Sequence, residues 1–131
     1  MRTFSARLSR TVTAAACSLA VLSLGGQAAA DPPESALSLS LSKTDGTIAF
    51  TQLLCGPAGG THPTSAQACA ALEEADGKPA ALETTAQACP MIHEPVRASA
   101  HGHWRGKPVH FTTTYNNSCL ADAESNGVFG F

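Results

Sequence analysis

Charge is scarce in this 131-residue chain, where only 14% of residues are Asp, Glu, Lys or Arg. So low a charged fraction excludes a disordered polyelectrolyte. The formal net charge of −2 argues against a basic phosphate-binding surface, so no nucleic-acid partner is expected. Length leaves room for one ordinary domain, with or without a removable leader. A Rossmann enzyme, a kinase or a barrel enzyme does not fit. No G-x-S-x-G elbow and no H-E-x-x-H helix occurs. The cysteines lack both CxxC redox spacing and the paired CxxC of a zinc site.

The whole-chain averages hide two segments. Arg2, Arg7 and Arg10 are the only charges before Asp31. A run rich in Ala, Leu and Val follows from Thr11 to Leu24, then Gly25-Gly26-Gln27-Ala28-Ala29-Ala30. A basic start, an apolar middle and small residues at −3 and −1 predict a secretory signal over 1–30, cleaved before Asp31. The uncharged run is near the lower limit for a membrane span and no basic stop-transfer cluster follows, so no membrane association is expected after cleavage. Cys17 lies inside the run rather than closing it, and reads as apolar filler instead of a lipidated cysteine.

Residues 31–131 hold five basic residues, Lys43, Lys78, Arg97, Arg105 and Lys107, against ten acidic ones, a balance of −5. They also hold Cys55, Cys69, Cys89 and Cys119. An even count in a small exported domain reads as two structural disulfides, and the sequence leaves three pairings open. Each bridge contributes about 3–4 kcal/mol in the chain-entropy treatment, a large share of a small domain's stability.

Ala36 to Ser42 alternates leucine with serine, the pattern of a half-buried strand. Lys43-Thr44-Asp45-Gly46 is a turn, and Thr47 to Leu54 returns as the second strand of an antiparallel hairpin. Cys55 to Pro63 reads as loop. Thr64 is placed to cap a helix, with Gln67 completing a capping box. The helix runs to about Ala75 with Ala68, Cys69, Leu72 and Ala75 inward, and Asp76-Gly77 and Pro79 end it. Residues 80–88 have no persistent period beyond a possible helical turn. Val96 to Trp104 and Pro108 to Tyr115 read as strands joined by Arg105-Gly106-Lys107, and Ala121 to Ser125 as another helical turn. Val128, Phe129 and Phe131 are expected to dock as a short terminal strand. The fold class is α+β: a single domain with about five short antiparallel strands and two short helices.

His101 and His103 share one face of a strand, but no third ligand is identifiable, so exposed strand histidines are expected and no metal or cofactor. Asn116-Asn117-Ser118 matches a glycosylation sequon, a weak pattern. The informative stretch is Cys89-Pro90-Met91-Ile92-His93-Glu94-Pro95-Val96. Proline cannot donate to a sheet ladder, and residues before proline, here Cys89 and Glu94, are pushed into extended geometry. The segment therefore reads as an extended loop that Cys89 can tether, with Met91-Ile92 near its middle. On composition alone, the apolar pair favours burial in the core.

The C-x-M-x-x-x-P pattern of Cys89, Met91 and Pro95 resembles the reactive site of the Streptomyces-type subtilisin inhibitors. Further matches run in order along the chain. They comprise Ser35-Ala36-Leu37, Gly60-Thr61-His62-Pro63, Ala68-Cys69-Ala70-x-Leu72 and Glu94-Pro95-Val96, then Trp104-x-Gly106-Lys107, Asn117-x-Cys119 and Val128-Phe129-x-Phe131. The resemblance implies bridges Cys55–Cys69 and Cys89–Cys119, a homodimer formed on the sheet, and a secreted inhibitor rather than an enzyme. Its partner is implied to be an extracellular protease of subtilisin type, with chymotrypsin-like enzymes as further targets. It implies a reactive bond between Met91 (P1) and Ile92 (P1′), with Ala88, Cys89, Pro90, His93 and Glu94 as contacts. We expect the Asn117 amide to support the loop backbone. Ala88 departs from the bulkier P4 residue common in the family and is expected to forgo about 1–2 kcal/mol of burial. Two rival readings remain: an exported structural or adhesive module that buries Met91 and Ile92, and a small metal-binding protein using His101.

Overall fold

The computed structural model describes residues 25–26 and 31–131. The leader expectations, Cys17 included, lie outside the described residues. Within 31–131, the strands are β1 (Ser35–Lys43), β2 (Ile48–Cys55), β3 (Gly59–Gly60), β4 (Val96–Trp104) and β5 (Lys107–Tyr115). The helices are α1 (Ser65–Glu74) and α2 (Ser118–Glu124), and Pro79–Ala81 forms a 3-10 turn. The strands make one antiparallel sheet in the order β3-β2-β1-β4-β5.

Strand β1 is central because its alternation suits a sheet covered on one side. Leu37, Leu39 and Leu41 enter the core, and Ser38, Ser40 and Ser42 face outward. Small residues oppose these leucines: Ala98, Ala100 and Gly102 of β4 lie across from Leu41, Leu39 and Leu37. That leaves room above the sheet for Leu72 of α1, Ala121 of α2 and the terminal Val128 and Phe129. Phe129 stacks 6.1 Å from Phe111 and lies 6.1 Å from Tyr115.

The turns follow their residues. Gly46 takes φ +89° and Asp45 Oδ1 accepts from Thr47 N–H at 2.8 Å. That hydrogen bond lowers the Asp45 carboxyl pKa from its ordinary value. Arg105 and Gly106 both adopt positive φ, +47° and +79°, giving the tight β4–β5 hairpin. Lys107 therefore belongs to β5 rather than to the link.

Three local expectations need correction. Residues 128–131 are docked but not as a strand. Gly127 N–H bonds Asp122 O at 3.0 Å, Val128 N–H bonds Ser125 O at 3.2 Å, and the chain curls back over α2 through positive φ at Asn126 and Gly127. The fifth strand is instead Gly59–Gly60, inside the expected loop, because the edge of β2 supplies partners at Leu53 and Leu54. At α1, Thr64 occupies the N-cap position but its side chain caps nothing, so the capping box does not form. The buried His62 holds this corner: its Nδ1 accepts from Thr64 N–H at 3.1 Å and its Nε2 lies 3.0 Å from Val128 O.

The helix ends as expected. Gly77 N–H bonds Leu72 O at 2.7 Å with φ +70°, and a side chain at Gly77 would collide with the Trp104 indole. Cys69, expected inward, is half-buried and bonded to Cys55, joining α1 to the end of β2. The other bridge is Cys89–Cys119.

Candidate functional site

Between the 3-10 turn and β4, residues 82–95 form neither helix nor strand. The core resumes only at Val96, which is fully buried, so the two prolines and the residues between them stay outside it. Met91 is fully exposed (102%) and Ile92 is exposed (52%). The composition-based expectation that this pair is core is therefore wrong, and the adhesive-module reading loses its buried pair. Ala88, Pro90, His93 and Glu94 are exposed as well, and Cys89 is half-buried.

An exposed apolar segment without secondary structure needs external support to keep one shape. Here α2 and the residues before it provide that support. Thr85 N–H bonds Ala123 O at 2.8 Å, and Cys89 is bonded to Cys119. Glu94 N–H bonds Asn116 O at 2.9 Å. Between these anchors, Asn117 Nδ2 donates to Pro90 O at 3.2 Å and to Ile92 O at 2.8 Å. The two carbonyls flanking Met91 are thus fixed by one amide, while the Met91 side chain carries no part of the load.

Asn117 itself cannot move freely. It is 5% exposed and is the N-cap of α2, its Oδ1 accepting from Leu120 N–H at 2.8 Å. Its acceptor serves the helix and its donor serves the loop, so the amide orientation is set by both. The anticipated support by the Asn117 amide is present in this geometry, with two acceptors. The Asn116 carbonyl and the Thr85–Ala123 bond escaped sequence reasoning, because backbone contacts between segments far apart in the chain leave no residue signature.

The histidines lie elsewhere. His101 and His103 are exposed on the outer face of the sheet, and His101 Nδ1 sits 3.3 Å from Nδ1 of His110, its cross-strand neighbour. Among the described residues, no group of three or more His, Cys, Asp or Glu side chains comes together as a metal site.

The structure is thus a two-bridged α+β scaffold that presents an anchored, solvent-facing segment. Residues 33–117 match the family model described as Subtilisin inhibitor-like, and the chain belongs to that family. Subtilisin inhibitor-like protein 1 of Streptomyces cacaoi is 39% identical over 101 residues, covering 70% of this chain and 92% of the relative. The Subtilase-type protease inhibitor of Streptomyces coelicolor is 35% identical over 138 residues, covering 98% of this chain and 96% of its own. Among solved structures, Streptomyces caespitosus sermetstatin, determined in complex with Bacillus licheniformis subtilisin, is similar with a TM-score of 0.57 and 32% identity. That similarity covers 74% of this chain and 98% of sermetstatin.

Proposed function

We infer that this protein is an exported inhibitor of subtilisin-type serine proteases, with Met91–Ile92 as its reactive bond. The observation that carries the reading is the fully exposed Met91 between two carbonyls held by Asn117. Subtilisin inhibition by relatives, in name and in the sermetstatin complex, supports the partner class.

The mechanism follows from the geometry. Residues 88–90 pair in extended form with the edge of the protease cleft as an added strand, and Met91 enters the S1 pocket. Met91 is unbranched and apolar, so it suits hydrophobic S1 pockets and offers no cation to an acidic one. Ala88 meets S4 with little apolar surface, and His93 and Glu94 lie on the leaving-group side. The anchors have already ordered the loop, so binding loses little further conformational entropy. An ordinary-sized interface can then reach nanomolar to picomolar affinity, about −12 to −16 kcal/mol.

Attack by the protease serine on the Met91 carbonyl forms the acyl-enzyme and frees the amine of Ile92. The Ile92 carbonyl remains bonded to Asn117 and Cys89 to Cys119, so the amine stays beside the ester. High effective molarity favours re-formation of the peptide bond over hydrolysis.

The outer face of the sheet supports a homodimer. Both helices pack on the opposite face, and Phe50 (75% exposed) and Ile48 (54% exposed) lie on this one across from Ser40 and Ser42 of β1. A second copy would cover them.

Titration of subtilisin with the purified protein tests the reading. Activity should fall linearly to an equivalence point of one reactive loop per enzyme. Rapid conversion to small fragments, with no lasting loss of protease activity, would exclude it.

A further inference from the structure

We propose that Met91 is an oxidation site through which a two-electron oxidant of the peroxide class switches the reactive loop off. The proposal rests on the reading of Met91–Ile92 as the reactive bond. Two observations carry it. Met91 is fully exposed, so its sulfur is open to small oxidants. It is also the only methionine in residues 31–131, where all four cysteines are joined in Cys55–Cys69 and Cys89–Cys119. The most readily oxidised sulfur in the domain is therefore the one at its recognition point.

The thioether sulfur donates a lone pair to one oxygen of hydrogen peroxide. A sulfur–oxygen bond forms, the oxygen–oxygen bond breaks, and the departing hydroxide takes the proton of the transferred hydroxyl to leave as water. Sulfur loses two electrons and peroxide gains them. The product is methionine sulfoxide, whose oxygen is a strong hydrogen-bond acceptor. Burying that oxygen in an apolar S1 pocket leaves it unpaired, whereas the unmodified side chain enters with no polar group to desolvate.

The scaffold is untouched by this change. Asn117 holds the backbone carbonyls of Pro90 and Ile92 and makes no bond to the Met91 side chain. Oxidation thus removes the contact without loosening the loop. Sulfoxide reduction restores it, so the device is reversible.

The experiment treats the purified protein with hydrogen peroxide, maps the added oxygen by peptide mass analysis and titrates subtilisin before and after. The expected result is one oxygen on Met91 and an affinity lower by about tenfold or more. Enzymatic sulfoxide reduction should restore the affinity. Met91→Leu, whatever its own starting affinity, should keep that affinity through the same treatment. Met91 carrying one oxygen with unchanged inhibition overturns the proposal, as does an equal loss in Met91→Leu. An untreated protein that does not inhibit overturns the reading of the loop itself, before any oxidant is added.

Discussion

Cys55–Cys69 and Cys89–Cys119 span similar distances, 5.6 and 5.7 Å between Cα atoms, in opposite surroundings. The first joins the end of β2 to α1, two elements already packed through Leu53, Ala68 and Leu72. The second joins α2 to a segment without secondary structure, whose side chains Ala88, Pro90, Met91 and Ile92 face solvent. One bridge therefore reinforces an order that the core supplies. The other imposes order where burial cannot, on an exposed segment that we propose enters a protease cleft. On the proposed reading, stability and function are separable in this domain, one governed mainly on the α1 side and the other on the α2 side.

Breaking the second bridge should have the largest functional effect. Cys89→Ser with Cys119→Ser releases the loop, so binding must re-order two or more residues at about 1–2 kcal/mol each, which corresponds to about a hundredfold weaker inhibition. Inhibition should also become temporary, since the cut loop can separate; time courses against subtilisin read both effects. Met91→Lys should move inhibition toward a trypsin-like protease with an acidic S1 pocket, by tenfold or more in relative affinity. Unchanged specificity would mean that another segment makes the contact.

Asn117 divides the two roles more finely. Asn117→Asp keeps the acceptor that caps α2 and loses the donor to Pro90 O and Ile92 O, so inhibition should weaken about tenfold. Asn117→Ala loses the cap as well and should lower stability by a further ~1 kcal/mol. Comparing thermal midpoints with inhibition constants for the pair separates helix capping from loop support. Cys55→Ser with Cys69→Ser should lower stability by about 3 kcal/mol, yet change inhibition less than about threefold while the protein remains folded. At the far end of the scale, Phe50→Glu should convert the proposed dimer to a monomer by sedimentation and leave inhibition per chain unaltered.

Much of the scaffold was legible in the sequence because its strands are half-buried. Leu37, Leu39 and Leu41 between serines dictate both the strand and its inward face. The end of the chain was legible only in part. Val128 and Phe129 announce burial by composition, but their backbone path depends on positive φ at Asn126 and Gly127 and on Phe129 N–H bonding Ser125 Oγ at 2.8 Å. Strand β3 carries no propensity of its own, being two glycines beside an available edge. Thr64 matched a capping pattern, yet the buried His62 took over that corner.

The site was legible through resemblance more than through composition. Apolar Met91 and Ile92 look like core residues, and only the disulfide-anchored, proline-flanked pattern places them outside. Asn117 was readable as support because it matches an asparagine near the family's loop, whereas its double donation depends on how α2 begins.

The central claim is that the anchored loop holds the two ends of the Met91–Ile92 bond together after cutting. The most direct measurement starts with intact protein in one tube and protein already cut at that bond in another, each with catalytic subtilisin. Both mixtures should converge on the same ratio of intact to cut inhibitor, with the intact form well populated and no other bond broken. Steady loss of the intact form from both tubes, or cleavage spreading to other bonds, would contradict it.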